Sequence, residues 1–557
     1  MMSLITIKLT SFFLSIVLFL SSIPMLLNGT SVVDITVDTT KQGSEVPNIV
    51  SNLNQWSLSS FLSPTKPKDN NIYDFVQYVQ LMQCTGGTAE RDLFVDPYDT
   101  TTLTDYDFSK LIRSCRGVLS MGAKPLLKLG GVPLKFTSDY KMGGFDMNVY
   151  PPDDYQQYYI YIRAVIQALV DEFGLEEVRS WRFGCMTECE NGDWFMAKSG
   201  DPKESCEAFC KLYDYTVQAV LDVLGDKAFI GAHTMAVTEG LWDERDFIRH
   251  VAQGTNYANG KKGTHIDYIS ASFYDSKPGK YTGGYTLPKT IKHLRKAAEK
   301  YGLTNLIYGV DEGRILAGNT RGSNDDALWS RTVGYTWQGA YDARLFKQGI
   351  DNGLDYFSSW GWLSDAISGY PTVSYHIANN LYKFAGSKKV ETVVAAAKAE
   401  HGAEFDCLSV YNEQTQTVRL MIYNYKNDVN YQTPAEVSLS VKMPQFAGKQ
   451  IQIVRSSVND DCNFFDEWMK DRKTYNITDK TASWSPDDPC LDTTVTLEDF
   501  TARQIYQRDL RAKYAECAKL TPVTSTQTLS SDTWQTSITL GGSEVVFYEI
   551  SLAKQPV

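Results

Sequence analysis

Between about residue 48 and residue 385 the chain alternates short β-leaning runs with amphipathic segments, and no other feature restricts its fold as tightly. Strand-like runs are QYVQLMQ (77–83), AKPLLKLGG (123–131), VRSWRFGCMT (178–187), AFIGAHT (228–234), IDYISASFY (266–274), NLIYGVD (305–311) and LDYFSSWGW (354–362). Between and after them, helix-like stretches cover 106–121, 154–173, 205–224, 243–253, 287–301, about 326–350 and 372–385. In the stretch 154–173, Tyr158, Ile162, Ile166 and Val170 recur at helical spacing. Alternating units of this number and length predict an α/β fold, a (β/α)8 TIM barrel over 47–388.

From about residue 390 the rhythm changes. FDCLSVYN, QTVRLMIYNY, AEVSLSVKM, KQIQIVRSS, SITLGG and EVVFYEISL read as short strands punctuated by Gly, Asn and Asp. They predict a C-terminal β-sandwich domain over 389–557. VVDITVD (32–38) also alternates like a strand and has no place in the barrel, so the segment 30–46 is expected to join the sandwich.

The first 29 residues carry one cation, Lys8, and an apolar run from Ser11 to Leu27 followed by small and polar residues. This is the pattern of a secretory signal peptide. A membrane anchor is the rival reading, but the run is short and interrupted by serine. A secreted chain, or one in the lumen of the secretory or lysosomal pathway, is expected. Ten cysteines, none of them in the signal, then favour disulfides, with Cys84–Cys115 and Cys462–Cys490 as candidate pairs. Cys185, Cys189, Cys206 and Cys210 also have a spacing that could hold zinc; the secretory route favours disulfides there too, and no metal is expected. Asn476-Ile477-Thr478 is a glycosylation sequon. The net charge of −12 argues against nucleic acid or an anionic membrane as partner.

Barrels of this class carry their chemistry at the C-terminal ends of the strands. The fourth strand ends in Thr187-Glu188 and the seventh in Asp311-Glu312-Gly313-Arg314. The fifth ends at His233, the sixth at Tyr274 and the eighth at Trp360 and Trp362; earlier strands end near Trp56, Arg91 and Lys128. Two carboxylates, cations and aromatic rings would therefore ring one mouth. Glycoside hydrolysis needs such a pair of carboxylates, one to protonate the leaving oxygen and one to attack the anomeric carbon or activate water. Because neighbouring residues of a strand face opposite sides, only one of Asp311 and Glu312 is expected to point inward. Glu190 reads as a loop residue, with a substrate contact as the alternative. No protease, esterase or nucleotide-binding motif is present, and no cofactor is expected.

Three segments resemble glycoside hydrolase family 39, the family of β-xylosidases and α-L-iduronidases. WRFGCMTE (181–188) resembles its W-x-F-x-x-x-N-E pattern, which implies Glu188 as acid/base. IYGVDEGRILAG (307–318) resembles its seventh-strand segment, in the Asp-Glu form of the iduronidase branch, which implies Glu312 as nucleophile. IVRSSVNDDCNFFDEWMK (453–470) resembles a segment of its sandwich domain, with Asn463, Phe464, Phe465 and Trp468. Two positions depart from the pattern. Thr187 replaces the Asn that binds the sugar hydroxyl beside the reacting carbon, and the sixth-strand His-x-Tyr appears as Ser272-Phe273-Tyr274. Tyr274, which in the clan bonds the nucleophile, is kept.

The resemblance implies a cofactor-free retaining glycosidase acting on an oligo- or polysaccharide, by exo-cleavage of β-xylosides or related glycans. Thr187, Trp56, Arg91, Lys128, His233, Tyr274, Trp360, Trp362 and Arg314 are the candidate substrate-binding residues. One alternative is an iduronidase-like hydrolase of uronic-acid glycans, with Arg314 gripping the carboxylate. The other is a carbohydrate-binding protein on a catalytically impaired barrel.

Overall fold

The computed structural model describes residues 32–55, 74–235, 240–277, 280–281, 286–315, 336–359, 371–396, 402–428, 430–464 and 504–553, with isolated positions between 467 and 474. Strand β1 (Val32–Glu45) precedes the barrel. The barrel strands are β2 (Asn52–Gln55), β3 (Tyr78–Leu81), β4 (Lys124–Leu129), β5 (Arg182–Cys185), β6 (Phe229–Thr234), β7 (Tyr268–Lys277), β8 (Ile307–Ile315) and β9 (Tyr356–Ser359). Each pairs in parallel with the next, and Ser359 of β9 pairs with Leu53 of β2, so the eight strands close on themselves as a TIM barrel.

Helices cover the barrel: α1 (Ser109–Ser120), α2 (Tyr155–Phe173), α3 (Pro202–Leu224), α4 (Glu244–Gln253), α5 (Leu287–Lys300), α6 (Trp337–Asp351) and α7 (Val373–Leu381). Their starts follow from local chemistry. Asp154, Asp201, Asp243 and Thr372 each cap a helix by accepting a backbone N–H from its first turn. Helix α2 buries Tyr158, Tyr161, Ile162, Val165, Ile166 and Leu169, a stripe at helical spacing that packs on the strands. The strand expected over 178–187 is shorter at both ends. Its first two residues belong to a short helix, Leu175–Arg179, and its last two lie beyond the strand, which ends at Cys185.

The second unit is built from β10 (Lys388–Ala396), β11 (Glu404–Asn412), β12 (Thr417–Tyr425), β13 (Ala435–Lys442), β14 (Gln450–Val458), β15 (Val523–Thr528), β16 (Thr533–Leu540) and β17 (Val545–Leu552). With β1 they form one hydrogen-bonded series, in the order β15-β14-β17-β12-β11-β10-β1-β13-β16. β1 lies antiparallel to β10 and parallel to β13. Inward residues such as Val33, Ile35, Val418, Leu420, Val437, Leu439, Ile451 and Ile453 form a core separate from the barrel's. A second face packs on the barrel, where Trp337 Nε1 donates to the Lys426 carbonyl at 2.8 Å and Arg344 pairs with Glu404 at 2.6 Å. Asn463, in the sandwich segment that resembles the family, reaches the barrel too: its Nδ2 donates to Thr336 Oγ1 at 3.2 Å.

The cysteines differ from expectation. Cys84 and Cys115 are both buried free thiols, not a bridge. Cys84 Sγ donates to the Lys128 carbonyl at 3.2 Å, and burial pushes this thiol up to about 12. Cys185, Cys189, Cys206, Cys210 and Cys462 are also free, while Cys490 and the sequon at Asn476 lie outside the described residues, as does the signal-like segment. Among the described residues no helix is long and apolar enough to cross a membrane.

Candidate active site

β5 ends abruptly because Met186 (φ 61°) and Glu188 (φ 41°) adopt the left-handed conformation, which is uncommon away from glycine and concentrates at functional turns. The turn leaves Glu188 only 8% exposed and surrounds it with donors. Asn191 Nδ2 and Trp194 Nε1 donate to its Oε2 at 2.8 and 3.2 Å, and Ser272 Oγ donates to its Oε1 at 2.6 Å. Trp194 is held in turn by a stacked contact with Phe145, with ring centroids 4.3 Å apart. Glu190 is turned into the protein. Its Oε1 accepts the Met235 N–H at 2.5 Å and its carbonyl accepts the Leu241 N–H at 2.6 Å, so it ties down the loop beyond the strand.

On the opposite side, β8 contains a bulge. Val310 pairs with Ala271 and Glu312 with Ser272, which leaves Asp311 as an extra residue; the register against β9 shifts at the same place. The expectation that only one of Asp311 and Glu312 points inward is therefore corrected, because the bulge breaks the alternation on which it rests. Asp311 is fully buried, ion-paired with Lys128 and hydrogen-bonded by Tyr356 Oη at 2.7 Å. Glu312 is 7% exposed, and Tyr274 Oη donates to its Oε2 at 2.9 Å. Ser272 connects the two sides, since it is the register partner of Glu312 and the donor to Glu188.

The electrostatics follow from burial and this pairing. Burial alone would push the Asp311 carboxyl up, but the Lys128 ammonium, His233 and the hydrogen bonds from Lys128 and Tyr356 outweigh it and hold it below the ordinary carboxylate range. His233 moves the other way from a surface histidine. Burial, helped by the Lys128 charge and opposed by Asp311, lowers it to about 3, so the ring is neutral at working pH.

The remaining candidates divide into groups. His233 reaches the site through Ser272, with Nε2 3.0 Å from its Oγ. Thr187 is fully buried, with its hydroxyl 3.5 Å from the Met82 sulfur. Lys128, expected at a subsite, is instead consumed by Asp311 inside the barrel. Arg314, expected to meet a uronate, is fully buried and ion-paired with Asp342 of α6 at 2.7 Å, because its position on β8 faces the helix layer. Arg91 is partly buried and donates to the Met82 carbonyl at 2.6 Å, which bridges a turn rather than leaving the cation free. Trp56, Trp360 and Trp362 lie outside the described residues. Sequence reading missed Asn191, Trp194 and Phe145. The first two stand three and six residues beyond Glu188 in the same ECENGDW run, and only the tight turn brings them back onto its carboxylate. Among the described residues no group of three or more His, Cys, Asp or Glu side chains is arranged to hold a metal ion.

The β-xylosidase of Geobacillus stearothermophilus is 25% identical over 273 residues, covering 46% of this chain and 48% of that protein. The chain thus matches about half the length of that relative. Among solved structures, a monomeric β-xylosidase from Caulobacter crescentus superposes with a TM-score of 0.63 at 13% identity, covering 94% of this chain and all of the other. A bacterial orthologue of human α-L-iduronidase gives 0.65 at 14% identity, covering 94% of this chain and 84% of the other. At such identities these structures show the shared fold. The profile described as Glycosyl hydrolases family 39 matches residues 94–312, a span that contains Glu188 and ends on Glu312. Residues 94–312 are thus similar to glycosyl hydrolase family 39, and the barrel with its appended β-domain has the fold of the solved β-xylosidase.

Proposed function

We propose that the protein is a secreted retaining glycoside hydrolase that cleaves O-glycosidic bonds by double displacement. The observation that carries the reading is the placement of Glu188 and Glu312 at one end of the barrel, joined through Ser272. Glu312 attacks the anomeric carbon while Glu188 gives its proton to the departing oxygen, which leaves a glycosyl ester on Glu312. Glu188, now a carboxylate, takes a proton from water as that water attacks the same carbon and releases Glu312. Tyr274 orients the nucleophile by its 2.9 Å hydrogen bond. Asn191 and Trp194 fix one oxygen of Glu188, so that the other faces Ser272.

Exo-action on β-xylosides is the preferred substrate class, supported by the family and by the β-xylosidase relative. The uronic-acid alternative keeps the Asp-Glu segment in its favour but loses its cation, because Arg314 is committed to Asp342. A 2-fluoro-β-xyloside with a good leaving group tests the reading. Intact protein should gain the mass of one sugar, and peptide mapping should place it on Glu312. Label on another residue refutes the assignment of roles. No label, together with no hydrolysis of aryl β-xylosides or α-L-iduronides, supports a carbohydrate-binding protein instead.

A further inference from the structure

The partners of Glu188 differ in what they can do. Asn191 Nδ2 and Trp194 Nε1 are donors only, so both serve the carboxylate and neither can accept a proton from the carboxylic acid. Yet the proposed mechanism needs Glu188 protonated in its first step. Ser272 Oγ, 2.6 Å away, is the one of these three partners that can turn round. When it does, its own hydrogen needs an acceptor. His233 Nε2 stands 3.0 Å from it, on β6.

His233 is suited to that task. The groups around it are Lys128 on β4, Asp311 on β8, Ser272 on β7 and, beyond Ser272, Glu188. Burial and Lys128 keep the ring neutral, and a neutral imidazole can either donate or accept at Nε2, whereas an imidazolium could only donate. Its Nδ1 is buried with no hydrogen-bond partner among the described residues, so no second bond fixes the tautomer.

We propose that Ser272 and His233 form a reversible hydrogen-bond switch that serves Glu188 in both of its protonation states. With Glu188 ionised, His233 Nε2–H donates to Ser272 and Ser272 donates to Glu188. With Glu188 protonated, its O–H donates to Ser272, Ser272 donates to Nε2, and the imidazole proton sits on Nδ1. Both are positioning residues. Here the sixth-strand His of the family pattern is replaced by a serine backed by a histidine from the neighbouring strand.

The inference rests on the glycosidase reading, and leaving-group chemistry separates the two. Departure of dinitrophenolate needs no proton, whereas departure of phenolate does. Ser272→Ala should lower kcat/KM for phenyl β-xyloside by about tenfold or more and change that for the dinitrophenyl analogue by less than about threefold. Ser272→Thr, which keeps the hydroxyl, should recover most of the loss. His233→Leu leaves Ser272 nothing to donate to except Glu188. That favours the ionised form, and the alkaline limb of the phenyl-substrate profile should move to lower pH. Equal loss on both substrates, no loss on either, or a limb moving to higher pH overturns the switch and leaves the glycosidase reading intact. A wild-type chain that hydrolyses neither xyloside, nor the matching α-L-iduronides, overturns both.

Discussion

Lys128 of the third barrel strand and Asp311 of the seventh form an ion pair with neither side chain exposed. Taking both charges out of water costs several kcal/mol per ion, on the order of what their attraction returns, so the pair is a poor source of stability as long as it is intact. It matters for what happens when one member is lost. Lys128→Met strands a carboxylate beside Tyr356 and should destabilise the fold by about 3–5 kcal/mol in urea unfolding. Adding Asp311→Leu to the same chain should restore much of that loss. If Lys128 were instead a subsite cation, the single variant would raise KM and leave the unfolding midpoint in place.

The bulge at Asp311 gives two adjacent carboxylates different partners, and conservative amides test the tasks proposed for them. Glu312→Gln removes the oxygen proposed to attack and should abolish both turnover and covalent labelling by a 2-fluoro glycoside, with the melting temperature nearly unchanged. Asp311→Asn keeps the shape but leaves Lys128 without its counter-charge. It should lower stability while labelling still occurs. Labelling lost in the Asn variant and retained in the Gln variant would reverse the roles.

Tyr274 offers a graded test of the nucleophile's setting. A hydrogen bond to a charged group is worth about 1.5–3 kcal/mol, which corresponds to about ten- to a hundredfold. Tyr274→Phe should therefore reduce kcat/KM by an amount in that range on xylosides of either leaving group, because the lost contact is to Glu312 and not to the acid. An effect confined to the phenyl substrate would place Tyr274 with Glu188.

The barrel was readable because its signal is local and repeated. Each strand is a short apolar run, each helix carries its stripe and cap, and neither needs knowledge of a distant residue. The edge strand Val523–Thr528 was not readable: all six residues are exposed, and VTSTQT shows no apolar alternation. In the site, the strand ends located Glu188 and Glu312, but IYGVDEG gives no sign of a bulge, which exists only as a register against β7 and β9. The fates of Lys128 and Arg314 were hidden for the same reason. Their partners lie 183 and 28 residues away, and a cation at a strand end looks the same whether it meets substrate or a buried carboxylate.

His233 also predicts how stability depends on pH. Its folded value of about 3 lies below the ordinary 6.5, so between those values the unfolded chain binds the proton and the folded chain does not. Stability from this group is complete above about pH 6.5 and is lost as pH falls toward 3. Asp311, held below its ordinary range, adds a loss of the same sign at more acid pH. At about 1.4 kcal/mol for each tenfold change in proton affinity, the contribution of His233 amounts to a few kcal/mol across the window. Urea unfolding of the wild-type chain should therefore show a midpoint that rises steeply from pH 4 to pH 6.5. His233→Gln, which cannot titrate, should flatten that rise; an equally steep slope in the variant would assign it to other groups.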